Sequence, residues 1–564
     1  MNAFTAPEIP WSLLSPALIV LLAAVAGVLV EAFVPARVRR PVQVTLGLAA
    51  PAAALVAVAA LWSGVASDGG TAVVGGSIIV DGPTLVLQGT IALLALLSVL
   101  VVADRTDTGE DAFAPSAAAV PSSDYEELAR RRGLQQTEVY PLLLFAVGGM
   151  LIFPAAGDLL TLFVALEVLS LPLYLLTGMA RRRRLLSQEA AMKYFLLGAF
   201  ASAIMLFGIG LLYGYSGSLR YSEIADQALQ VTGVDGLLLV GAVLVLAGLL
   251  FKVGAVPFHT WTPDVYQGAP TPITGFMAAC TKVAAFGALL RFVYVVLPDL
   301  EWDLSVVLWT VAIATMVVGT VAALVQTDVK RILAYSSIAH AGFILTGIVA
   351  LDESAIPAVL FYLLAYGAAT IGAFGIVWLV RERSAGSGDE PGPVLGEATR
   401  LSQWTGLGRT NPLLAVTFAL FLLSFAGIPL TAGFIGKFAV FSAAVEGGAW
   451  PLAVVGVLSS AAAAFFYVRI IVLMFFGGAG DGADEVTGGA AATVADEPVE
   501  APRPAGTTAT ATLVEKATAT TTTVVGSEGF AVVAIAVCAV LTVVLGIVPS
   551  PVLDLVGDVA QLLP

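Results

Sequence analysis

Four charged residues stand out because each lies inside a long apolar run. Glu167 lies in TLFVALEVLSLPLYLL, Lys252 follows sixteen uncharged residues, Lys282 lies in AACTKVAAFGALL, and Lys437 directly follows SFAGIPLTAGFIG. A charge at the centre of a membrane-spanning helix costs about 2.5–3.5 kcal/mol on insertion scales, so such residues are rare unless they serve a function. Carboxyl and amine groups at these depths can bind and release protons. The set therefore predicts a path for protons through a membrane.

Static ion pairing is the structural alternative for the same residues. One fixed pair between Glu167 and a lysine would hold two helices together without moving anything. However, one central carboxylate leaves two of the three central lysines without a counter-charge. A buried lysine without a partner gives up its proton more readily, and a nearby carboxylate has the opposite effect. This balance favours a proton path over static pairing.

Three further titratable residues are secondary candidates for the path. Lys193 lies one turn into a predicted span, and His340 lies in YSSIAHAG of another. His259 lies in FKVGAVPFHTWTPDVYQGAP, beside Gly254 and Pro257. An imidazole there could relay protons or could cap the end of a broken helix through a hydrogen bond. Both interpretations of each histidine stay open at this point.

The composition indicates a membrane protein rather than a soluble one. The chain has 564 residues, of which 59% are hydrophobic and 12% charged, whereas soluble domains carry about 25% charged residues. Apolar runs of about 20 residues are typical of transmembrane helices. We predict an all-α polytopic membrane protein with about fourteen transmembrane helices, at residues 12–34, 42–63, 84–103, 138–156, 158–180, 190–215, 236–261, 272–297, 303–325, 331–350, 355–380, 411–446, 451–476 and 529–549.

Two of these spans contain residues that interrupt a helix. The seventh, 236–261, includes Gly254 and Pro257, and the twelfth, 411–446, includes Gly427 and Pro429. The twelfth span comes five places after the seventh, an odd number, so the two must cross the membrane in opposite directions. Paired interrupted helices are the best sequence indication of inverted repeats around a transport site. We therefore predict two inverted five-helix repeats, with helices 7 and 12 broken.

These features divide the chain into five regions. Residues 1–137 hold helices 1–3, residues 138–300 the first repeat (helices 4–8), residues 301–476 the second repeat (helices 9–13), and residues 529–564 the last helix. The segment 477–528 between them is acidic at first and Thr/Ala-rich later. Low-complexity composition of this kind predicts a disordered, cytoplasmic linker.

Basic residues set the expected orientation. If the N-terminus is outside, the loops that become cytoplasmic hold nearly all of the basic loop residues, including the run Arg181–Arg184, and the external loops hold only Arg220. Because positive loops stay cytoplasmic, both termini are expected outside the membrane. The arginine run could instead bind lipid headgroups. Arg291 and Arg469, near span ends, are expected to reach the interface as anchors.

Four stretches resemble the N subunits of bacterial respiratory complex I, the NADH:quinone oxidoreductase. They are TLFVALEVLSLPLYLL, LLFKVGAVPFHTWTPDVYQGAPTPITGFMAACTKVAAFG, VKRILAYSSIAHAGF and SFAGIPLTAGFIGKF, within residues 138–476. The resemblance implies an antiporter-like membrane subunit with a proton channel. In it, Glu167 is similar to the glutamate of the fifth helix, Lys252 to the lysine of the broken seventh, Lys282 to the connecting lysine of the eighth, and Lys437 to the lysine of the broken twelfth.

The same resemblance places the redox chemistry in other subunits. It implies that NADH, flavin, iron–sulfur clusters and quinone bind to partner subunits, and that neighbouring antiporter-like subunits, peripheral subunits and the lipid bilayer are this chain's partners. The sequence itself shows two cysteines and no glycine-rich nucleotide motif, which is too little for an iron–sulfur or zinc site. We expect no cofactor, metal or nucleic acid in this chain.

Three rival functions remain. A subunit of a multisubunit Na⁺/H⁺ antiporter would share the inverted fold, but those subunits tend to have a histidine where this chain has Tyr266. An inert membrane scaffold would carry lysines that never change protonation. A solute carrier would need polar groups shaped for a substrate at the breaks, where this chain has mostly Lys, Gly and Pro.

Overall fold

The computed structural model describes residues 9–107, 109–115, 128, 136–229, 236–297, 301–384, 394–477 and 520–563. Long helices dominate these residues, as the sequence predicts. The first half of the chain contains a short hairpin and ten helices: α1 Ser15–Phe33, α2 Ala36–Asp68, β1 Thr71–Val73, β2 Ile78–Val80, α3 Gly82–Ala103, α4 Val139–Ile152, α5 Leu159–Thr177, α6 Arg184–Ser216, α7 Tyr221–Ala228, α8 Gly236–Val253, α9 Trp261–Gly268 and α10 Thr271–Val296.

The second half begins after α10, which contains π-helical turns at Met277–Thr281 and Phe292–Val296. Its elements are α11 Glu301–Leu324, α12 Val329–Val349, α13 Ala355–Leu379, β3 Val380–Ser384, β4 Val394–Glu397, α14 Leu407–Thr410, α15 Pro412–Ala426, α16 Ala432–Glu446, α17 Trp450–Phe476, β5 Thr520–Val524, α18 Phe530–Ile547 and α19 Ser550–Gly557.

Twelve helices among the described residues are long and apolar enough to cross a membrane. They coincide with twelve of the predicted spans. The other two predicted spans contain shorter helices: α4 with the 3₁₀ turn Phe153–Ala155, and the pair α15 and α16. The all-α membrane class is therefore confirmed, whereas the count of fourteen crossings and the inverted repeats stay predictions.

Loop contacts define two ends of the helix bundle. At the hairpin end, the β1–β2 hairpin contacts the start of α5 through a bridge between Ile78 and Ala156. At the sheet end, β4, β3 and β5 form a three-stranded antiparallel sheet. Because α3 begins beside the hairpin and ends at Asp104, which accepts hydrogen bonds from the segment after β5, these are opposite ends of the bundle.

The strand β5 departs from the sequence prediction for the 477–528 linker. Residues 520–524 pair with β3 along its whole length, from Thr520 opposite Ser384 to Val524 opposite Val380. Threonine favours strands because its branched side chain fits a pleated surface, so a composition interpreted as a tether instead supplies a strand. The greater part of the predicted linker, residues 478–519, lies outside the described residues.

Burial separates the central helices from the peripheral ones. The most apolar stretch of α10 is buried over its whole length, and those of α12 and α13 over 94% of theirs, against 28% for α1, α2 and α17. The peripheral helices expose large apolar side chains such as Leu29, Phe465 and Phe476. Since these side chains suit a lipid surface, the bundle has a protein-enclosed centre and a lipid-compatible surface.

The sequence predicts that Arg291 reaches the membrane interface, but the structure buries its side chain. Its side chain is 2% exposed and binds both carboxylate oxygens of Asp81 at 2.8 Å. Its other donors meet the carbonyls of Pro154 at 3.0 Å and Leu563 at 3.0 Å, and Asp81 also accepts from the Leu563 amide at 3.0 Å. The guanidinium finds a buried partner, so it fixes the end of α10 and the C-terminal segment instead of anchoring the helix in headgroups.

Candidate functional site

The helix that carries Lys252 ends directly after it. Gly254 has φ +77°, a left-handed conformation that glycine adopts without a steric cost. The carbonyls freed by this break are bound by other groups: Trp261 Nε1 donates to Phe251 at 2.9 Å, and Lys282 Nζ donates to Val253 at 3.1 Å. The predicted interruption of the seventh span at Gly254 and Pro257 is thus present, and α9 resumes at Trp261.

Lys252 points to hydroxyl groups on two neighbouring helices. Its side chain is 3% exposed, and Nζ donates to Ser170 Oγ on α5 at 2.8 Å and to Tyr194 Oη on α6 at 3.2 Å. Both acceptors are neutral. A neutral hydroxyl can accept a hydrogen bond from either an amine or an ammonium group, so these partners do not fix one protonation state.

Glu167 lies one helical turn before Ser170 on α5. Its side chain is half-buried, and Oε1 is buried without a hydrogen-bond partner among the described residues. No ion pair of 4.0 Å or less joins it to Lys252 in this part of the chain. The Glu167 carboxylate therefore lies on the same face of α5 as Ser170, which binds Lys252, but it forms no ion pair with that lysine.

Lys282 connects the two halves of the bundle. Its Nζ donates to the carbonyl of Val253 at the first break and to the carbonyl of Ser337 on α12 at 2.6 Å. The side chain is 3% exposed. The hydroxyl of Thr281, the residue before it, is buried with no hydrogen-bond partner among the described residues, and the Ser337 hydroxyl interacts with those of Tyr266 and Tyr366. A hydroxyl can both donate and accept a hydrogen bond, as a proton chain requires.

Lys437 lies beside the second break. This break has the same left-handed glycine, since Gly427 has φ +82° between α15 and α16. Lys437 Nζ donates to the carbonyls of Phe425 at 2.7 Å and Ala426 at 3.2 Å, and to Ser460 Oγ on α17 at 2.7 Å. The ammonium group also lies 4.8 Å from the centre of the Phe343 ring. The carbonyls that the break exposes thus become the acceptors of the lysine.

His340 lies between Lys282 and Lys437 and is buried. Its Nδ1 is 2.8 Å from Tyr362 Oη and its Nε2 is 3.2 Å from Tyr467 Oη. Tyr467 Oη also shares a short hydrogen bond with Ser336 Oγ, next to the Ser337 carbonyl that holds Lys282. On the other side, the Phe425 ring packs on the imidazole at 5.6 Å between ring centres. His340 is therefore placed in the gap between the two lysines.

Lys193 and His259 lie apart from this line. Lys193 is 43% exposed and forms ion pairs with Glu189 and Asp264, each at 2.7 Å. Asp264 also pairs with Arg331 at 2.9 Å, so Lys193 belongs to an ion-pair network. His259 is half-buried; its Nδ1 has no hydrogen-bond partner in the described chain, while its backbone carbonyl accepts from the Thr262 amide at 2.9 Å.

Sequence reasoning missed the hydroxyl groups around Lys252, Lys437 and His340. They are Ser170, Tyr194, Ser336, Tyr362, Ser460 and Tyr467. Ser170 and Ser336 carried a usable signal, because each lies three or four residues from a titratable residue on the same helix and so on the same face. Tyr194, Tyr362, Ser460 and Tyr467 come from other helices, and only the packing reveals them.

No metal centre is evident in the described part of the chain, where no three His, Cys, Asp or Glu side chains converge. Cys280 and Cys538 are both buried and unpaired. A buried free thiol usually acts as a small apolar side chain. The polar groups described around the two breaks are amines, hydroxyls, an imidazole, carbonyls and the Glu167 carboxylate.

Comparisons with known proteins agree with this geometry. Residues 156–462 match the family described as "NADH:quinone oxidoreductase/Mrp antiporter, TM". The chain is 62% identical over 565 residues to NADH-quinone oxidoreductase subunit N of Beutenbergia cavernae, with 99% of each chain covered. It is 52% identical over 577 residues to subunit N of Mycobacterium tuberculosis, again with 99% of each chain covered.

Comparison with solved structures shows which proteins share the fold of this chain. A chain of respiratory complex I from Thermus thermophilus with bound Aureothin is 31% identical, with a TM-score of 0.69, and the match covers 96% of this chain and 100% of that one. A chain of the Mrp complex from Dietzia sp. has a TM-score of 0.71 over 97% of each chain, but its 22% identity is evidence of the fold alone. The chain belongs to the family of NADH-quinone oxidoreductase N subunits, within the wider group of antiporter-like membrane proteins.

Proposed function

We propose that this chain translocates protons across the bacterial plasma membrane as the antiporter-like N subunit of an NADH:quinone oxidoreductase. The observation that supports it best is the row of buried amines: Lys252, Lys282 and Lys437 lie at the two breaks and between them, and each is bound by neutral acceptors. A fixed ion pair would hold each lysine charged, whereas neutral acceptors permit both protonation states.

Glu167 is proposed to control the first step. When its carboxylate approaches Lys252, it stabilises the ammonium form, and when it withdraws, the proton moves toward Lys282 and then past His340 to Lys437. Moving one proton against 100 mV takes about 2.3 kcal/mol. Bringing two opposite charges to about 4 Å is worth about 4 kcal/mol at the effective dielectric of a partly polar protein site. Doubling that separation to about 8 Å halves the energy, so a movement of several ångströms changes it by about 2 kcal/mol, close to the cost of the step.

The orientation follows from the charges at the two ends. The sheet end carries Arg181–Arg184, Lys330, Arg381 and Arg400, while Arg220 lies at the hairpin end, where it bridges to Asp158. By the positive-inside rule, we assign the sheet end to the cytoplasm and both termini to the outside. Protons would then enter near the sheet end and leave at the hairpin end.

The broken helices support the proposed inverted repeats. The α8–α9 pair ends at the sheet end, where Lys330 Nζ donates to the Ala269 carbonyl at 2.8 Å. The α15–α16 pair ends at the hairpin end, where Gly447 packs on Ala350 and Asp352. The two pairs thus run in opposite directions, as the predicted repeats 138–300 and 301–476 require.

The redox chemistry is proposed to belong to partner subunits that bind NADH, flavin, iron–sulfur clusters and quinone. This chain would contribute to the enzyme as its proton translocase and would receive the energy through neighbouring membrane subunits. Its own central polar groups would exchange protons only.

Substitution of Lys252 in the assembled complex tests the proposal. Lys252→Ala removes the amine, and Lys252→Arg keeps a positive charge that does not deprotonate in proteins. Both complexes are expected to lose NADH-driven acidification of proteoliposomes and to show slower quinone reduction, while NADH-to-ferricyanide activity reports intact partner subunits. If the Lys252→Ala complex assembled and pumped protons at the wild-type ratio to NADH, the proposal would be wrong and an inert scaffold would be favoured.

A further inference from the structure

A polar cavity lies at the sheet end, separate from the buried lysines of the proton path. It opens to the surface, and the centre of a water-sized sphere can occupy about 40 Å³ of it. Four parts of the chain form most of its walls: the segment Glu110–Ala112, the Ala180–Arg183 turn before α6, the Gln267–Pro270 turn before α10, and the strands β3 and β4. Helix α12 adds Lys330.

Positive charge exceeds negative charge on the described residues that line this cavity. The five cations are Arg181, Arg182, Arg183, Lys330 and Arg381, and the three carboxylates are Glu110, Asp111 and Glu397.

The carboxylates are already engaged by these cations. Asp111 pairs with Arg181 at 3.0 Å and Glu110 with Arg182 at 3.2 Å. Glu397 is shared between Lys330 at 3.5 Å and Arg381 at 4.0 Å. Among the described residues of the lining, five cations thus stand against three carboxylates, each of which has a partner.

Two buried donors in the cavity wall lack an acceptor. Arg381 is 5% exposed, and its Nε has no hydrogen-bond partner in the described chain; Trp378 is 2% exposed, and its Nε1 has none either. The two groups are adjacent, since the Arg381 guanidinium carbon lies 3.8 Å from the centre of the Trp378 ring. A buried polar group without a partner is costly. Each of these two donors needs an acceptor, and the oxygens of an anion are acceptors.

We propose that this cavity binds a phosphate-class anion: either the phosphodiester of an anionic phospholipid in the adjoining leaflet or free inorganic phosphate. Guanidinium groups suit phosphate because their donors match its oxygens in pairs. Helix α10 begins at Thr271, next to the Gln267–Pro270 wall, so its positive end adds to the field. The site is independent of the proton path. It also gives three of the four arginines in the run Arg181–Arg184 a shared role besides topology.

Binding to the purified complex tests the site. The probes are ³²P-labelled inorganic phosphate in equilibrium dialysis, and phosphatidylglycerol added in mixed micelles and counted after extraction. The variant Arg381→Gln removes the buried guanidinium, and the control Arg409→Gln removes an exposed arginine outside the cavity. Loss of one charge-assisted hydrogen bond is expected to weaken binding by about tenfold or more in Arg381→Gln, with no change in the control.

The two probes distinguish the sources of the anion. A lipid headgroup would be assigned if the wild-type complex retains one phosphatidylglycerol, phosphate does not displace it, and the Arg381→Gln complex loses it. Saturable phosphate binding with the same dependence on Arg381 would assign free phosphate. If Arg381→Gln failed to assemble, Trp378→Phe, which removes only the indole donor, would be measured in its place. Equal binding of both probes by wild type and cavity variants would overturn the proposal.

Discussion

The two broken helices hold their lysines in different ways. At the first break Lys252 precedes the left-handed glycine, and its acceptors are hydroxyls contributed by α5 and α6. At the second break Lys437 follows the glycine along the chain, and it folds back onto the two carbonyls that the break exposes. Each lysine has one serine partner, Ser170 for Lys252 and Ser460 for Lys437. The helix of Ser170 also carries a carboxylate, Glu167, whereas the helix of Ser460 carries none.

This difference implies different control of the two sites. Lys252 depends on groups that belong to neighbouring helices, so a small shift of α5 changes both its serine and the distance to Glu167. Lys437 is bound mainly by the backbone of its own broken helix, so its surroundings change only if the break itself changes. We infer that the first site is the regulated one and that the second is a fixed relay.

The largest expected effect comes from Glu167. Glu167→Gln removes the negative charge but keeps the size of the side chain, so the ammonium form of Lys252 loses its main electrostatic support. Proton pumping in proteoliposomes should fall by at least about tenfold, since loss of even 1.4 kcal/mol changes an equilibrium tenfold. Glu167→Asp, which keeps the charge, is the matched control and should retain most of the pumping. Equal pumping by Glu167→Gln and wild type would remove the distinction between the two sites.

The serine partners should show a smaller but unequal effect. Ser170→Ala leaves Lys252 with the Tyr194 hydroxyl alone, whereas Ser460→Ala leaves Lys437 with two carbonyls. A hydrogen bond to a charged group is worth about 1.5–3 kcal/mol, and the remaining carbonyls should offset most of that at the second site. We expect Ser170→Ala to slow pumping about tenfold and Ser460→Ala by less than about threefold. The reverse order would show that Lys437 is the more sensitive site.

The glycines of the breaks offer a third comparison. Both are left-handed, so alanine should cost about 1–2 kcal/mol at either position. A Cβ on residue 427 would lie 3.0 Å from Lys437 Cδ and 3.3 Å from its Nζ, whereas a Cβ on residue 254 would meet Thr262 Oγ1 at 2.9 Å. Gly427→Ala should therefore displace the lysine and lower pumping several-fold, beyond its effect on the yield of complex. Gly254→Ala should lower yield but leave pumping per assembled complex closer to wild type.

Much of this organisation is predictable from the sequence because charges and helix breakers are scarce in membrane spans. The breaks at Gly254 and Gly427 lie where the sequence predicts them, and the three lysines lie at the breaks or between them. Their roles in proton transfer stay predictions. Charge and helix propensity are local properties, so one residue and its neighbours in sequence are enough to reveal them.

Other features depend on packing between distant parts of the chain. The hydroxyl of Tyr194 reaches Lys252 only because α6 packs on α8. Arg291 is buried because Asp81 lies across from it, a partner more than two hundred residues away in sequence. The strand β5 forms because β3 offers a free edge. In each case the residue type permits several roles, and a distant partner selects one.

The smallest effect is expected from Glu397, a carboxylate that, unlike Glu167, is fully paired. Glu397 lies in β4, outside the membrane-spanning helices, and accepts from Thr271 at 2.7 Å beside Lys330 and Arg381. Burial alone would raise the pKa of Glu397, but Lys330, Arg381, Thr271 and Arg183 outweigh it and leave the pKa below its ordinary value. An unpaired carboxylate should govern activity, whereas this paired one should govern stability and leave pumping unchanged.

The sign of that stability follows from the lowered pKa. A carboxylate that is more acidic in the folded protein stabilises it at pH values above its unfolded pKa of about 4.3, and the contribution is lost as the pH falls through the lower folded value. Glu397→Gln should therefore lower the thermal unfolding temperature at pH 7, by an amount that reflects about 1 kcal/mol or less for a partly exposed pair. The difference from wild type should shrink below about pH 4. The unfolding temperature is measured by tryptophan fluorescence. Glu446→Gln, at an exposed helix end, is the control. A difference that stayed constant with pH would mean that Glu397 acts through packing rather than through its charge.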